Sequence, residues 1–127
     1  MLDFDEWIAE EFGRGPFTAL ILVLDIGAQT AEPVASTYLH VIGDDVRWAD
    51  MSKMLAGAPN KWNAVAFFPS RDIGGPVADR IAKVRLLDVE ERVNADRLEL
   101  NKGAFFDRKG RRLEIEEAEA PPKPTLQ

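Results

Sequence analysis

The sequence predicts an α+β fold, a two-layer sandwich in which about three helices pack on a mainly antiparallel sheet of about five to six strands. Three observations predict it. Amphipathic helical segments separate short apolar runs, several of these runs follow one another along the chain, and turn residues join the last of them. Strands that follow one another through short turns pair antiparallel, whereas a parallel sheet needs a crossover after each strand.

The first half of the chain contains two predicted helices and two predicted strands. Residues 2–12 are amphipathic at the helical period, and their apolar face is formed by Phe4, Trp7, Ile8 and Phe12. Residues 17–26 are almost continuously apolar, which is typical of a strand covered on both faces. Residues 34–42 alternate as a strand does, and residues 46–56 form the second predicted helix.

The second half contains a third strand, a long charged segment and a meander. Residues 62–68 form the strand, and residues 77–95 are rich in good helix formers. We predict a helix there, but its apolar residues fall on two faces, which a kink or an additional strand near residues 84–89 would explain. The meander is predicted from three short strands with Gly103 and Gly110 in their turns, at residues 97–100, 104–107 and 111–116.

Composition predicts one acidic, cytoplasmic domain at residues 1–117, followed by a disordered, proline-rich tail at residues 118–127. The 127 residues are 46% hydrophobic and 30% charged, which is too apolar for a disordered chain. Cysteine is absent, which excludes disulfides, thiolate zinc sites and cysteine nucleophiles. The acidic start is untypical of a secretory signal, and no apolar run reaches the length of a membrane span, so we expect no membrane partner.

The charge balance predicts no nucleic-acid partner. The net charge of −6 repels phosphate backbones, which proteins bind mainly through lysine and arginine. One basic cluster stands out, formed by Arg108, Lys109, Arg111 and Arg112. Four glutamates follow it closely, so we interpret the cluster as a solvated hairpin turn, with a nucleic-acid surface as the alternative.

The loop after the third strand is the first candidate binding site. Ser70 and Arg71 are followed by Gly74 and Gly75, directly before a predicted helix start at Pro76. Free backbone N–H groups and the helix dipole favour an anion at such a place, and an arginine adds a fork of donors. The spacing matches neither the P-loop nor the dinucleotide fingerprint, so a flexible helix entry is the alternative.

His40 is the second candidate, because it is the only histidine. On the predicted strand it shares a face with Tyr38 and Ser36, which favours a hydrogen-bonded, half-buried imidazole. A metal or catalytic role is the alternative, although one histidine cannot build a multi-histidine site. We therefore predict no metal and no cofactor, and we leave catalysis open.

Two pairs of adjacent aromatic residues, Phe67–Phe68 and Phe105–Phe106, indicate a third kind of site. Within a strand, neighbouring side chains point to opposite faces of the sheet, so each pair sends one ring to each side. If the helices leave part of the sheet uncovered, some of this aromatic surface is free for a partner. The candidate interface residues are Trp7, Phe68, Phe105 and Phe106.

Two functional hypotheses follow. The lack of a catalytic constellation favours an interaction module, either an adaptor or a regulator, that binds a protein partner or itself as a homodimer through an uncovered sheet face or edge. The alternative is a small-molecule binder or enzyme that holds an anionic ligand between the loop at residues 70–76 and His40.

Overall fold

The computed structural model describes residues 2–28, 30–58 and 61–115. The predicted tail at residues 118–127 and the end of the last predicted strand lie outside these ranges. In chain order the elements are α1 (Asp3–Phe12), β1 (Phe17–Ile26), β2 (Ala31–Val41), α2 (Trp48–Leu55), β3 (Ala64–Ser70), α3 (Asp79–Ala95), a 3₁₀ helix (Arg97–Lys102), β4 (Ala104–Asp107) and β5 (Arg112–Leu113).

The five strands form one antiparallel sheet in the order β2-β1-β3-β4-β5. β1 lies between β2 and β3, as its continuous apolar sequence predicts. Among the described strands, β2 and β5 form the two edges. The predicted α+β class, with helices packed on an antiparallel sheet, is confirmed.

Helices cover both faces of the sheet, so the sheet is the middle of three layers where the sequence predicted two. The aromatic face lies under α1 and α2, and the aliphatic face lies under α3 and the 3₁₀ helix. Alternation along β1 divides its side chains between them. Ala19, Ile21 and Val23 join the aromatic face, and Leu20, Leu22 and Leu24 join the aliphatic face.

Phe4 of α1 is the centre of the aromatic face. It is 0% exposed, and its ring centroid lies 5.1 Å to 5.9 Å from four other aromatic rings. Hydrogen bonds hold α1 to distant parts of the chain: the Phe4 N–H donates to the carbonyl of Gly110 at 3.1 Å, and the Arg112 N–H donates to Oδ2 of Asp3 at 2.8 Å. A third bond runs from the Trp48 N–H to Oδ1 of Asp5 at 2.7 Å. The helix is thus docked by both packing and hydrogen bonds.

α3 is one uninterrupted helix of 17 residues, and the alternative of an interrupting strand is wrong. The buried stripe is formed by Ala82, Leu86, Val89 and Val93. Val84 and Leu87 instead are 65% and 61% exposed, so the second apolar face of this segment is turned to solvent. Within the described ranges, no helix is both long and apolar enough to cross a membrane.

The strand predicted at residues 97–100 is a 3₁₀ helix. The Asp96 side chain accepts the Leu98 N–H at 3.0 Å, which starts a turn where alternation suggested a strand. Leu100 is then 0% exposed against the aliphatic face. Gly103, expected in a hairpin turn, has a φ of −109°, outside the left-handed region that a tight hairpin turn requires of its glycine. A Cβ atom there would lie 2.7 Å from the carbonyl oxygen of Phe67, so close packing explains this glycine.

Candidate functional site

A row of polar side chains crosses three strands at one end of the aliphatic face. Thr18 of β1 is the register partner of both Ser70 on β3 and His40 on β2. Directly opposed residues on antiparallel strands point to the same face, so the three side chains form one row. The segment leading into α3 lies over it, because the Val77 N–H donates to Oγ1 of Thr18 at 3.0 Å.

His40 links this row to α3. Its Nδ1 lies 2.8 Å from Oγ1 of Thr18, and its Nε2 lies 2.8 Å from Oδ1 of Asp79, the first residue of α3. A carboxylate only accepts, so Nε2 carries a proton, and in the neutral imidazole Nδ1 accepts from the Thr18 hydroxyl. The His40 side chain is 35% exposed. This geometry agrees with the predicted half-buried, hydrogen-bonded histidine.

The contacts of this cluster shift the pKa of two side chains. The hydrogen bond with His40 holds the pKa of Asp79 below its ordinary value, and it outweighs the opposing effect of burial. Burial raises the pKa of Tyr38, and the nearby Asp79 carboxylate raises it further. The Tyr38 and His40 rings also meet edge to face, with 5.5 Å between the ring centroids. Near neutral pH Asp79 is therefore ionised and Tyr38 is protonated.

Threonine, imidazole and carboxylate in a line resemble the arrangement that activates a nucleophile in hydrolases. Here the Thr18 hydroxyl cannot act as a nucleophile, because Thr18 is 0% exposed and its oxygen already accepts a hydrogen bond from the Val77 N–H. The cluster instead fastens the start of α3 to β1 and β2. Within the described ranges, there is no group of three or more His, Cys, Asp or Glu side chains that could hold a metal ion.

Arg71, a predicted ligand for an anion, is used inside the fold on the aromatic face. Its Nη1 lies 2.7 Å from Oε2 of Glu11, and its Nη2 donates to the carbonyls of Glu11 and Gly15 at 2.7 Å and 2.9 Å. The guanidinium also lies over the Phe17 ring, 5.0 Å from its centroid. The physical reason is alternation, which sends Arg71 to the face opposite that of Ser70. Arg71 therefore joins α1 to the end of β3 and is not free for a ligand.

Gly74 and Gly75 belong to a closed turn and not to an anion cradle. The Asp72 N–H donates to the Gly75 carbonyl at 2.7 Å, and the Gly75 N–H donates to the Asp72 carbonyl at 3.0 Å. The Ile73 N–H is taken by the Asp72 side chain at 2.9 Å. α3 begins at Asp79 and not at Pro76, so the expected helix start does not follow the glycines.

The four predicted interface residues belong to the hydrophobic core. Phe68, Phe105 and Phe106 are 9%, 2% and 0% exposed, and the Trp7 ring is half-buried between α1 and the sheet. The prediction depends on a sheet face that the helices leave uncovered. In the structure, helices pack on both faces of the sheet. These side chains therefore form no exposed aromatic patch.

The open edge of β2 is the most extended unpaired feature of the described chain. β2 has 11 residues and pairs only with β1 among the described strands. On its outer side, alternate backbone N–H and C=O groups have no strand partner. Residues 34–41 contain no lysine, arginine, aspartate or glutamate, and Ser36 and Thr37 are exposed. The sequence could not reveal this edge, because strand order depends on pairing between distant segments.

A second feature missed from the sequence is a group of cations beside Ser70. Nη1 of Arg85 donates to Oγ of Ser70 at 2.6 Å. Arg92 and Lys102 line the same cleft. Arg85 and Arg92 lie two turns apart on α3, and this spacing is the sequence signal that could have indicated the group. Charged residues on a helix are, however, ordinarily interpreted as a solvated face.

The basic turn at residues 108–112 is held by the fold. Nε of Arg108 donates to the Trp62 carbonyl at 2.8 Å, and its guanidinium lies 4.4 Å from the centroid of the Trp62 ring. Nε of Arg111 donates to Oδ2 of Asp107 at 2.7 Å. Burial would raise the pKa of Asp107, but hydrogen bonds from the turn hold it below the ordinary value. These contacts agree with a structural turn.

No protein-family model, no curated protein and no solved structure matches the chain. A function can therefore be inferred only from features of the described chain itself. These are the β2 edge, the polar row of Thr18, Ser70 and His40, and the cleft lined by Arg85, Arg92 and Lys102.

Proposed function

We propose that the protein is an interaction module that forms a homodimer by antiparallel pairing of the β2 edges of two copies. The observation that carries the proposal is the length of open, uncharged strand at this edge, which spans residues 34–41. Pairing would join the five-stranded sheets of two copies into one continuous sheet.

A second copy is the occupant that the geometry favours. An antiparallel strand is complementary to itself about a two-fold axis, so each outward N–H of one copy meets a C=O of the same strand in the other. Each chain carries a net charge of −6, which opposes association wherever carboxylates meet. The uncharged segment of β2 lets two copies approach without placing like charges opposite each other.

Apolar surface flanks the same edge. Ile42, the residue after β2, is 71% exposed, and Met54 of α2 is 44% exposed. Met54 and Leu39 line a shallow cleft of about 330 Å³ between α2 and β2. Covering such surface adds hydrophobic stabilisation to the backbone hydrogen bonds of a paired edge.

Sedimentation equilibrium over a wide range of protein concentration tests the proposal. We expect a monomer–dimer equilibrium for the unaltered chain. Thr37 is exposed near the middle of the uncharged segment, so in a pairing centred on this segment Thr37→Lys places two lysines close together across the two-fold axis. Like charges brought together in this way weaken association by about a hundredfold.

The matched control is Gly57→Lys, which adds the same charge at an exposed turn with open space around its Cβ position. This variant should dimerise as the unaltered chain does. In amide hydrogen exchange, β2 should gain protection as the protein concentration rises, while β5 should not. A chain that stays monomeric, or a dimer that Thr37→Lys leaves intact, contradicts the proposal.

A further inference from the structure

We propose a second, independent site, a cleft between β3, α3 and the 3₁₀ helix that binds a small organic anion with an apolar body. The cleft has a volume of about 380 Å³, within the range of small-molecule sites. Its floor is apolar, and its rim carries three cations beside the carboxylate of Asp88. The floor is formed by Leu20, Phe68 and Val89, and the rim by Arg85, Arg92 and Lys102.

The charges of the rim do not cancel. Arg92 pairs with Asp88 at 3.1 Å and with Glu99 at 3.5 Å, and Lys102 pairs with Glu99 at 2.9 Å. Arg85 has no carboxylate partner among the described residues. One positive charge therefore remains in excess at this rim, on a chain whose net charge is −6.

Glu99 positions two of the cations. Its side chain is only 19% exposed, and it contacts Arg92 and Lys102 from two different elements. Its Oε1 is buried without a hydrogen-bond partner in the described part of the chain. The carboxylate thus draws both cations toward one rim and leaves their remaining N–H donors for a ligand.

Arg85 and Ser70 form the place where the acidic group of the ligand would bind. Only Nη1 of Arg85 has hydrogen-bond partners within the described ranges, at 2.6 Å to Oγ of Ser70 and at 3.5 Å to the Arg71 carbonyl. A guanidinium binds a carboxylate or phosphate through two parallel N–H donors. The Ser70 hydroxyl accepts from Arg85 and can still donate its own proton to the ligand. The apolar floor would cover the body of the ligand.

Titration with 2-naphthoate, followed by the backbone amide shifts in an ¹H–¹⁵N spectrum, tests this inference. We expect saturable shifts in α3 and the 3₁₀ helix, and at least about tenfold weaker binding of the neutral analogue 2-naphthalenemethanol. Arg85→Gln should weaken naphthoate binding by about tenfold, the effect of losing one charge-assisted contact. Because Arg85 is exposed, the variant should fold, and its spectrum reports this directly.

The matched control is Arg80→Gln, which removes an exposed arginine from the same helix outside the cleft. It should bind naphthoate as the unaltered chain does. Three results would each overturn the inference: no shifts at the cleft, equal binding of naphthoate and its neutral analogue, or equal weakening by Arg80→Gln and Arg85→Gln. The site does not depend on dimerisation, so Thr37→Lys should leave naphthoate binding unchanged.

Discussion

The two edges of the sheet are built in opposite ways. β5 has two residues, one of which is Arg112, and charged side chains flank it at Arg111 and Glu114. Just beyond it, the Ile115 N–H and carbonyl are bonded to the Asn101 side chain at 3.0 Å and 2.6 Å. β2 has 11 residues, with an uncharged segment at residues 34–41.

Short strands and charged side chains are the usual means by which proteins prevent edge-to-edge association. β5 has both, whereas most of β2 has neither. In the proposed dimer, this difference would direct pairing to the β2 edge. Substitutions near each edge test how that edge is held in place. Their effect is measured as the change in the free energy of unfolding of the monomer, at low protein concentration.

The largest effect is expected at the turn that forms the protected edge. Gly110 has a φ of +78°, and a Cβ atom there would lie 2.9 Å from Cγ of Trp48. Gly110→Ala should therefore lower the free energy of unfolding by about 3 kcal/mol through backbone strain and overpacking. Urea unfolding measures the loss, and hydrogen exchange should show β5 opening first.

Gly57→Ala is the control, because no atom lies within 4 Å of its Cβ position. Its unfolding free energy should change by no more than about 0.5 kcal/mol. If the two alanine variants lose the same stability, the turn does not hold the protected edge in the way described.

A smaller effect is expected where β1 and β2 are fastened to α3. Thr18→Val keeps the shape of the side chain but removes the acceptor of the Val77 N–H and the partner of His40. An unsatisfied buried N–H should lower the free energy of unfolding by about 2 kcal/mol. Thr37→Val makes the same change at an exposed position of β2 and should have little effect. Equal losses in the two variants would contradict the role of the polar row.

The smallest effect is a change in pH dependence at Asp79. Its pKa lies below the ordinary 3.8 in the folded chain, so the ionised form stabilises the fold above the ordinary pKa. That contribution is lost as the pH falls through the lower folded value. The stability difference between the unaltered chain and Asp79→Asn should therefore shrink as the pH falls below about 5 and through the lower folded pKa.

Asp45→Asn, at an exposed carboxylate of the loop before α2, is the comparison for this pH series. Its difference from the unaltered chain should vary less over the same range. A constant difference for Asp79→Asn would show that the imidazole does not stabilise the ionised carboxylate.

Local periodicity was enough to predict most elements but not their arrangement. β1 has the bounds that its apolar run predicted, because burial on both faces leaves a continuous pattern in the sequence. Residues 97–100 also alternate, yet the cap from Asp96 turns them into a 3₁₀ helix. The position of β2 at an edge depends on contacts between distant segments, which no local pattern records.

The candidate sites show the same limit. His40 was predicted to be half-buried and hydrogen-bonded from its neighbours on the strand, but its partner Asp79 is 39 residues away. Arg71 has the chemistry of an anion ligand, but its buried partner Glu11 is 60 residues away in the chain. The arginine that does reach Ser70 comes from the next helix, since only the packing of α3 brings Arg85 there.

The docking of α1 has a consequence for how the chain is made. Phe4 lies at the centre of the aromatic face, but it bonds to Gly110, near the far end of the described chain. During synthesis the helix is therefore complete long before the turn that receives it. Until that turn emerges, the aromatic face lacks the Phe106 ring and the hydrogen bonds from Gly110 and Arg112 that hold α1, so we expect this half of the core to close late.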